Sequence, residues 1–204
     1  EGHIGQNPLS RLQAPAALRR EHAITAAEHD RVMSLIKQGD PFRDYVLFLY
    51  STGARPQEAR TVEARHCRSR LVVIPPSEAK GGRSHRVIYL PDPIDSLISH
   101  LVSEHPVGPL LRNRGGRPWT KDSVKCRLTQ IKKKLAKQGT PIPALVATSW
   151  RHGYATEALK RGIDSVTVGV LMGHSDPSMV AKVYQHLGSD QEYLSRVANR
   201  IGNC

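Results

Sequence analysis

The feature that most constrains the fold is a change of hydrophobic period inside an otherwise helical chain. A β-branched run, Leu71–Ile74, is closed by two prolines, and a second run over residues 86–90 is closed by Pro91. Short β-branched runs bounded by proline predict strands. Residues 80–83, Lys-Gly-Gly-Arg, predict the turn between them. We therefore expect a small antiparallel hairpin unit, with a third short strand around residues 65–70.

Helical patterns precede this unit. Thr25 and Glu28 have the spacing of a capping box, and apolar residues follow at helical intervals until Gly39. Residues 44–52 are almost continuously apolar, which predicts a buried helix ended by Gly53. A short helix is expected over residues 56–62, because a proline stands at its start.

Helical patterns also follow the hairpin unit, first around residues 94–102 and then from Trp150 towards Ile201. In the second region we expect Ala155, Leu159 and Ile163 to share one helix face. The predicted fold class is mixed, mostly α with a small antiparallel β-sheet. Residues 1–22 are irregular and proline-spotted, so we interpret them as a linker or the tail of a preceding domain, with one domain over residues 23–204.

The charge of the chain favours a polyanionic partner. Its 204 residues include 30 Lys+Arg against 18 Asp+Glu, a net charge of +12. Nucleic acid is the first candidate and an acidic membrane surface the second. No apolar run reaches the ~20 residues of a membrane span. Three scattered cysteines indicate neither a disulfide framework nor a zinc site, and a reducing compartment is the simpler expectation.

Residues 112–137 form the most basic stretch, with ten cations and one acid. Within it, Val124, Leu128, Ile131 and Leu135 recur on one helical face. A solvated face is the ordinary interpretation of such a run. The excess of cations beside a real apolar stripe favours a phosphate-facing surface instead. The expected DNA-binding residues are Arg83, Arg117, Lys121, Lys125, Lys132 and Lys133.

Five short motifs carry the candidate chemistry, although each of them alone has an ordinary structural explanation. They are Thr-Gly-x-Arg-x-x-Glu with Arg55 and Glu58, Lys80 in a turn between strands, Trp-Arg-His with Arg151 and His152, Leu-Met-Gly-His with His174, and Tyr-x-His with Tyr184 and His186. In this order and context, from about Thr25 to the end, the chain resembles the tyrosine recombinases, also called the phage integrase family.

The resemblance implies DNA cleavage and rejoining through a covalent bond to Tyr184, without metal or other cofactor. Arg55 and Arg151 would stabilise the negative charge on the non-bridging phosphate oxygens, because a guanidinium group matches the geometry of phosphate and stays protonated. His174 would hydrogen-bond one of those oxygens. Lys80 would protonate the leaving 5′ oxygen. Glu58 and His152 would support this site, although an exposed helix acid is an equal alternative for Glu58.

One position departs from the family pattern. The pattern usually has histidine three residues before the second arginine, and this chain has Thr148. A threonine hydroxyl can donate a hydrogen bond to phosphate but cannot act as a base near neutral pH. Thr148 therefore remains a candidate site residue whose presence puts the rate of reaction in question.

The resemblance also implies the partners. These are double-stranded DNA and, on DNA, three further copies in a homotetramer, with a monomer possible without DNA; no membrane is implied. The protein is expected in the cytoplasm with the nucleoid. A segment over residues 190–201 has an apolar stripe that could dock on its own domain or on a neighbouring subunit. Two alternatives stay open: DNA relaxation like that of type IB topoisomerases, and a catalytically impaired DNA-binding relic.

Overall fold

The computed structural model describes residues 22–81 and 84–174 of the chain. This part of the chain contains seven α-helices and one sheet of three short strands, the mostly helical composition that the hydrophobic periods predicted. The helices are α1 (Ala26–Ser34), α2 (Phe42–Thr52), α3 (Pro56–Thr61), α4 (Asp92–Glu104), α5 (Lys121–Lys137), α6 (Ser149–Lys160) and α7 (Ser165–Met172). The strands are β1 (Cys67–Arg68), β2 (Leu71–Ile74) and β3 (Arg86–Tyr89).

Helix α1 begins where the capping-box spacing predicted. The Thr25 hydroxyl accepts a hydrogen bond from the Glu28 amide at 3.2 Å, and the Glu28 carboxylate accepts one from the Thr25 amide at 2.9 Å. Two amides that the first turn leaves without helical partners are thereby satisfied.

Helix α2 is the centre of the core, and none of its residues is exposed. It packs against α3, α4 and α6. Phe42, Tyr45, Phe48 and Leu49 are almost fully buried on it, and Trp150 of α6 is buried beside them. Burial of each such side chain contributes about 1.5–3 kcal/mol, so α2 gives the domain a rigid centre. The helix ends at Gly53 in the left-handed conformation (φ 61°), as its position after the apolar run predicted.

The sheet is antiparallel throughout, in the order β1-β2-β3. The register pairs Val72 with Ile88 and Ile74 with Arg86. Side chains alternate between the two faces of a strand. The inner face of β3 therefore carries both Ile88 and Arg86, and both are buried. An arginine at an inward position of a short strand requires polar partners inside the protein.

Helix α5 has the predicted amphipathic character. Val124, Leu128, Ile131 and Leu135 are buried on one face. One of its cations serves the fold, because Arg127 Nη2 pairs with Asp40 Oδ2 at 2.6 Å and its guanidinium lies over the Phe42 ring. Most of the lysines on the other face are exposed.

Helices α6 and α7 pack on each other around a small second core of Ala155, Leu159, Val168 and Met172. The expectation that Ile163 continues the face of Ala155 and Leu159 is wrong, because Ile163 is 41% exposed. Helix α6 ends at Lys160, and Gly162 follows with φ 85°. The helical period stops there, so a residue spaced for the next turn points elsewhere.

Among the described residues, no helix is long and apolar enough to cross a membrane.

Candidate active site

The C-terminal end of α7 gathers three arginines that are far apart in the sequence. The last carbonyls of a helix have no partner within the helix, and they lie at the negative end of its dipole. Here three consecutive carbonyls each accept a hydrogen bond from a different guanidinium group. The bonds run from Arg86 Nη1 to Leu171 O (2.9 Å), from Arg151 Nη2 to Met172 O (2.7 Å) and from Arg55 Nη2 to Gly173 O (2.8 Å).

Each arginine is held in place by a different element of the fold. Arg55 is the residue immediately before α3, and Arg151 lies in the first turn of α6. Arg151 Nη1 also donates to the Gly53 carbonyl at 2.6 Å, which ties the end of α2 to the same cluster. Arg86 begins β3 on the buried face of the sheet. Packing of α7 against β3 and α6 therefore brings the three groups together.

Glu58 is the carboxylate of this cluster. Its two oxygens accept hydrogen bonds from the Arg55 amide and from Arg55 Nη1, each at 2.7 Å, and Arg86 Nε lies 3.4 Å from Oε1. Glu58 is only 7% exposed, so it is not the exposed helix acid that the sequence left open. Its one negative charge faces three guanidinium groups, which leaves an excess of positive charge in this cluster.

Burial shifts the pKa values of Arg151 and Arg86, the two most buried arginines of the cluster. Burial lowers the pKa of Arg151, and the positive charge of Arg55 lowers it further. Burial likewise lowers the pKa of Arg86, although the charge of Glu58 opposes the change. Guanidinium groups nevertheless stay protonated at neutral pH. The free energy of the site therefore falls when an anion joins these cations.

His174 follows the helix end directly, and its amide donates to the Gly169 carbonyl at 2.9 Å. Burial lowers the pKa of its imidazole to about 4, and the charges of Arg151, Arg55 and Arg86 act in the same direction. The ring is neutral at pH 7, with one N–H donor and one acceptor nitrogen. At this pH His174 can offer a hydrogen bond to an anion but adds no charge.

Three other candidate residues differ in their exposure to solvent. Lys80 is half-buried in the turn that follows β2, and it contacts none of the three arginines within the part of the chain that is described. Thr148 is exposed at the first turn of α6, three residues before Arg151. His152 is half-buried, and its charge is one of the causes of the lowered pKa of His174.

Tyr184, His186, Arg83 and residues 190–201 lie outside the described residues. The roles expected for them remain predictions.

Sequence reasoning missed Arg86, because residues 86–90 were interpreted only as a strand. A signal was present in the alternation of side chains. Arg86 stands two residues before Ile88 and four before Leu90, and these apolar residues lie on the inner face. A cation in register with a buried apolar face indicates a partnered, inward-pointing charge.

Most of the expected DNA-binding residues that the structure describes are exposed. Arg117, Lys121, Lys125 and Lys133 are exposed. Lys132 is half-buried, with Nζ 3.5 Å from the Pro143 carbonyl, and it borders a shallow groove formed with Pro141 and Ile142. These cations are solvated and can respond to a polyanion without a fixed geometry.

The arginine cluster has the chemistry of an oxyanion site. Guanidinium groups bind phosphate through two N–H donors at once, and donors that are already oriented lose little entropy on binding. Among the described residues, no group of three or more His, Cys, Asp or Glu side chains could hold a metal ion.

Comparison with known proteins places the chain in a family. Residues 22–191 match the sequence pattern of the phage integrase family. The chain is 28% identical over 205 residues to tyrosine recombinase XerC of Xylella fastidiosa strain M23, covering 96% of this chain and 66% of the relative. It is 25% identical to a tyrosine recombinase of Thermosipho africanus, with 96% and 68% covered. The chain thus spans about two thirds of the length of the curated relatives it matches.

Solved structures show the same fold at low sequence identity. The Tn1549 transposon integrase in complex with transposon right end DNA has a TM-score of 0.69 at 18% identity, with 96% of this chain and 73% of that chain covered. The XerA recombinase has a TM-score of 0.68 at 14% identity, with 87% and 64% covered. The predicted fold, that of tyrosine recombinase catalytic domains, is confirmed. Because the family pattern extends over most of the sequence, the chain belongs to the phage integrase family.

Proposed function

We propose that this chain is the catalytic part of a site-specific recombinase, which cleaves and rejoins double-stranded DNA through a 3′-phosphotyrosyl intermediate at Tyr184. The observation that carries the proposal is the cluster of three oriented guanidinium groups with a single carboxylate at the end of α7. This cluster has excess positive charge and lies beside His174. Family membership and the names of the relatives support the same activity.

In the proposed cleavage step, the phenolic oxygen of Tyr184 attacks the phosphorus of one phosphodiester. A new P–O bond forms, and the bond from phosphorus to the 5′ oxygen breaks. Negative charge grows on the two non-bridging oxygens during this exchange. Arg55 and Arg151 would bind those oxygens, and neutral His174 would donate a third hydrogen bond.

The two proton transfers have separate requirements. A free tyrosine has a pKa of about 10, so only a small fraction of Tyr184 is ionised at neutral pH unless cations favour the phenolate. The cluster supplies such cations. The electron pair of the broken bond stays on the 5′ oxygen, which takes a proton from Lys80. Lys80 lies in a turn and is partly accessible to solvent, so its ammonium group is accessible to a DNA backbone.

Rejoining is the reverse reaction with a different strand. A 5′ hydroxyl attacks the phosphotyrosyl phosphorus, the bond to Tyr184 breaks and the phenol regains its proton. The number of phosphoester bonds is conserved in each step. The exchange therefore needs neither ATP nor an external nucleophile.

Thr148 defines how the proposed chemistry differs from the usual family pattern. It lies at the start of α6, one turn before Arg151, where its hydroxyl can donate a hydrogen bond to phosphate. It cannot accept a proton from Tyr184 near neutral pH. Activation of the tyrosine then depends on the arginine cluster alone, so we expect slow cleavage that speeds up at alkaline pH.

Assembly and context follow from the same proposal. The partner is double-stranded DNA, and exchange between two duplexes requires a homotetramer, with a monomer possible in the absence of DNA. Residues 1–22 would connect this catalytic domain to a preceding DNA-binding domain. The protein would act in the cytoplasm with the nucleoid.

The test is a trap for the covalent intermediate. Nicked duplexes with randomised flanks release a short strand after cleavage, and its loss prevents rejoining. The protein is incubated with this pool without metal, and adducts that survive denaturing electrophoresis are recovered and sequenced. We expect an adduct enriched for one sequence, and none with Tyr184→Phe. Equal adduct formation by both proteins, or none by either, would overturn the proposal.

A second arm separates recombination from relaxation. Two duplexes that carry the selected sequence should exchange strands, and the yield should depend on both sites being present. Relaxation of a supercoiled plasmid without that sequence, at the same enzyme concentration, would favour the topoisomerase alternative instead.

A further inference from the structure

Arg86 is buried more deeply than the two arginines that the family motif identifies. It is 5% exposed, and its Nη2 atom has no hydrogen-bond partner among the described residues. Burial of a guanidinium group costs several kcal/mol after relaxation, about as much as for other ions. An ordinary fold avoids this cost by placing an apolar residue at an inward strand position. The cost here indicates that the charge has a use.

The contacts of Arg86 join three separate elements. Nη1 donates to the Val87 carbonyl at 2.6 Å within β3 and to the Leu171 carbonyl at 2.9 Å at the end of α7. Nε lies 3.4 Å from the Glu58 carboxylate on α3. Strand β3 continues from the turn that carries Lys80. One side chain therefore connects the Lys80 turn with the partner of Arg55 and with the helix end before His174.

Gly173 is required for this arrangement. A Cβ atom at position 173 would lie 2.6 Å from Arg86 Cδ and 2.8 Å from Nε, closer than real Cβ contacts permit. The residue also has φ 65°, which favours glycine. The guanidinium group of Arg86 thus packs directly against the backbone that turns into His174.

We propose that Arg86 is a positioning residue for the phosphate-binding centre. This inference rests on the proposed function, and it assigns Arg86 a role that acts through other groups. By holding Glu58 and the Leu171 carbonyl, Arg86 fixes the orientation of Arg55 and the position of His174. Its charge also enlarges the positive excess of the centre, because Arg55 and Arg151 against Glu58 alone would leave a smaller net charge.

Removal of Arg86 has a defined consequence. Glu58 would keep its close pair with Arg55, and the two would neutralise each other more completely. The end of α7 would lose one of its three guanidinium partners. Loss of a residue that orients the ligands of a metal site lowers activity by about 10–100-fold, and we expect a similar factor for a residue that orients phosphate-binding groups. We expect the rate of adduct formation at saturating DNA to fall by that factor in Arg86→Ala, while DNA affinity stays within about threefold.

Arg43 provides a matched control in the same chain. Its Nη1 donates to the carbonyls of Met33 and Ile36 at 2.8 and 2.9 Å, near the end of α1. Arg43→Ala therefore removes the same type of contact without touching the cluster. Both variants are measured at a temperature where circular dichroism shows them folded. Arg43→Ala should keep the saturating rate of the unchanged protein.

A second substrate separates positioning from general damage. In a methylphosphonate duplex, a methyl group replaces one non-bridging oxygen at the cleavage site, so the phosphorus centre carries no net charge. A positively charged, ordered centre contributes less to reaction of this substrate. The ratio of rates between the unchanged protein and Arg86→Ala should therefore shrink with methylphosphonate. Arg86→Lys should recover only part of the rate, because one ammonium group cannot make all three contacts.

The outcomes distinguish this inference from the proposed function. If no adduct depends on Tyr184, the proposed function fails. If that adduct forms and Arg86→Ala reacts at the normal saturating rate, only the role of Arg86 fails. An equal rate ratio with both substrates would also overturn it, because a merely structural arginine predicts that result.

Discussion

The chain contains two cationic regions that use their charge in opposite ways. At the end of α7, Arg55, Arg86 and Arg151 are largely withdrawn from water and bonded to carbonyl oxygens. On α5, Lys121, Lys125 and Lys133 project into solvent from a helix whose other face is buried. The first region has fixed donors in a low-dielectric setting, whereas the second has mobile charges that salt screens.

This difference explains why both cationic regions are expected in a protein that performs chemistry on DNA. Solvated lysines attract the polyanion and release counterions, which gives affinity without geometry. Oriented guanidinium groups contribute little to the long-range attraction of DNA, but they stabilise charge that appears only during the reaction. We therefore expect binding and catalysis to depend on different cations of the same chain, and substitutions should separate them.

The largest effect should come from the buried region. We expect Arg151→Ala to lower the rate of adduct formation at saturating DNA by about 10²–10³-fold, as for loss of one oriented oxyanion donor. The slope of log affinity against log salt concentration should barely change. Single-turnover gels give the rate, and fluorescence anisotropy at several salt concentrations gives the slope.

Arg161 is the control for that substitution. It lies just after α6, is 73% exposed at its side chain and pairs with Glu157 at 3.4 Å. Arg161→Ala should leave the rate unchanged. If Arg151→Ala altered DNA affinity and cleavage rate by the same factor, the two regions would not have separate tasks.

The exposed region should give the reverse result. Replacement of both Lys125 and Lys133 by glutamine should reduce the salt slope by about 0.9 for each phosphate that these lysines neutralise. DNA affinity should fall, and the cleavage rate at saturating DNA should stay within about twofold. Lys37→Gln, on an exposed lysine outside α5, should leave the slope unchanged. An unchanged slope after the α5 substitutions would show that this face does not contact DNA.

A smaller effect concerns the dependence of stability on pH, and it sharpens the same comparison of buried and solvated charge. His29 is buried, stacks on Tyr50 at 3.6 Å between ring centroids, and accepts a hydrogen bond from Trp150 Nε1 at 3.1 Å. Burial lowers its pKa to about 4. The unfolded chain takes up a proton near the ordinary value of 6.5, whereas the folded chain does not.

The sign of the effect follows from this difference. Below pH 6.5 the unfolded state binds more protons, so the free energy of unfolding falls as the pH decreases towards 4. The imidazole of His174 contributes in the same direction, because its pKa is also lowered to about 4. In His29→Gln, urea denaturation between pH 7 and 4 should show a shallower fall than in the unchanged protein. An identical fall would show that His29 titrates normally in the folded protein.

Local signals in the sequence were sufficient for most elements of the fold. Three such signals are the capping box at Thr25, the glycine stop at Gly53 and the apolar stripe of α5. Each of them acts within a few residues, so the elements lie where the sequence predicted them. Ile163 shows where this reasoning fails. A single glycine in a left-handed turn follows the end of α6, and the hydrophobic periodicity alone did not predict that the helix ends there.

The candidate site was predictable by residue type and order, and only partly by arrangement. Arg55, Arg151 and His174 were identified from motifs, and the fold brings them to one helix end. Their dependence on the carbonyls at the end of α7 was not predictable, because it arises from the packing of α7 on two distant elements. Arg86 was missed for the same reason, since its partners lie 28 and 85 residues away in the sequence.

The most direct measurement identifies the tyrosine that holds the DNA. Trypsin releases one peptide, from Val183 to Arg196, that contains both Tyr184 and Tyr193. After nuclease trimming of the trapped adduct, fragmentation in the mass spectrometer assigns the remaining nucleotide to one ring. The account predicts a phosphodiester on Tyr184, its loss in Tyr184→Phe and its retention in Tyr193→Phe. A nucleotide on Tyr193, or on a residue outside this peptide, would contradict it.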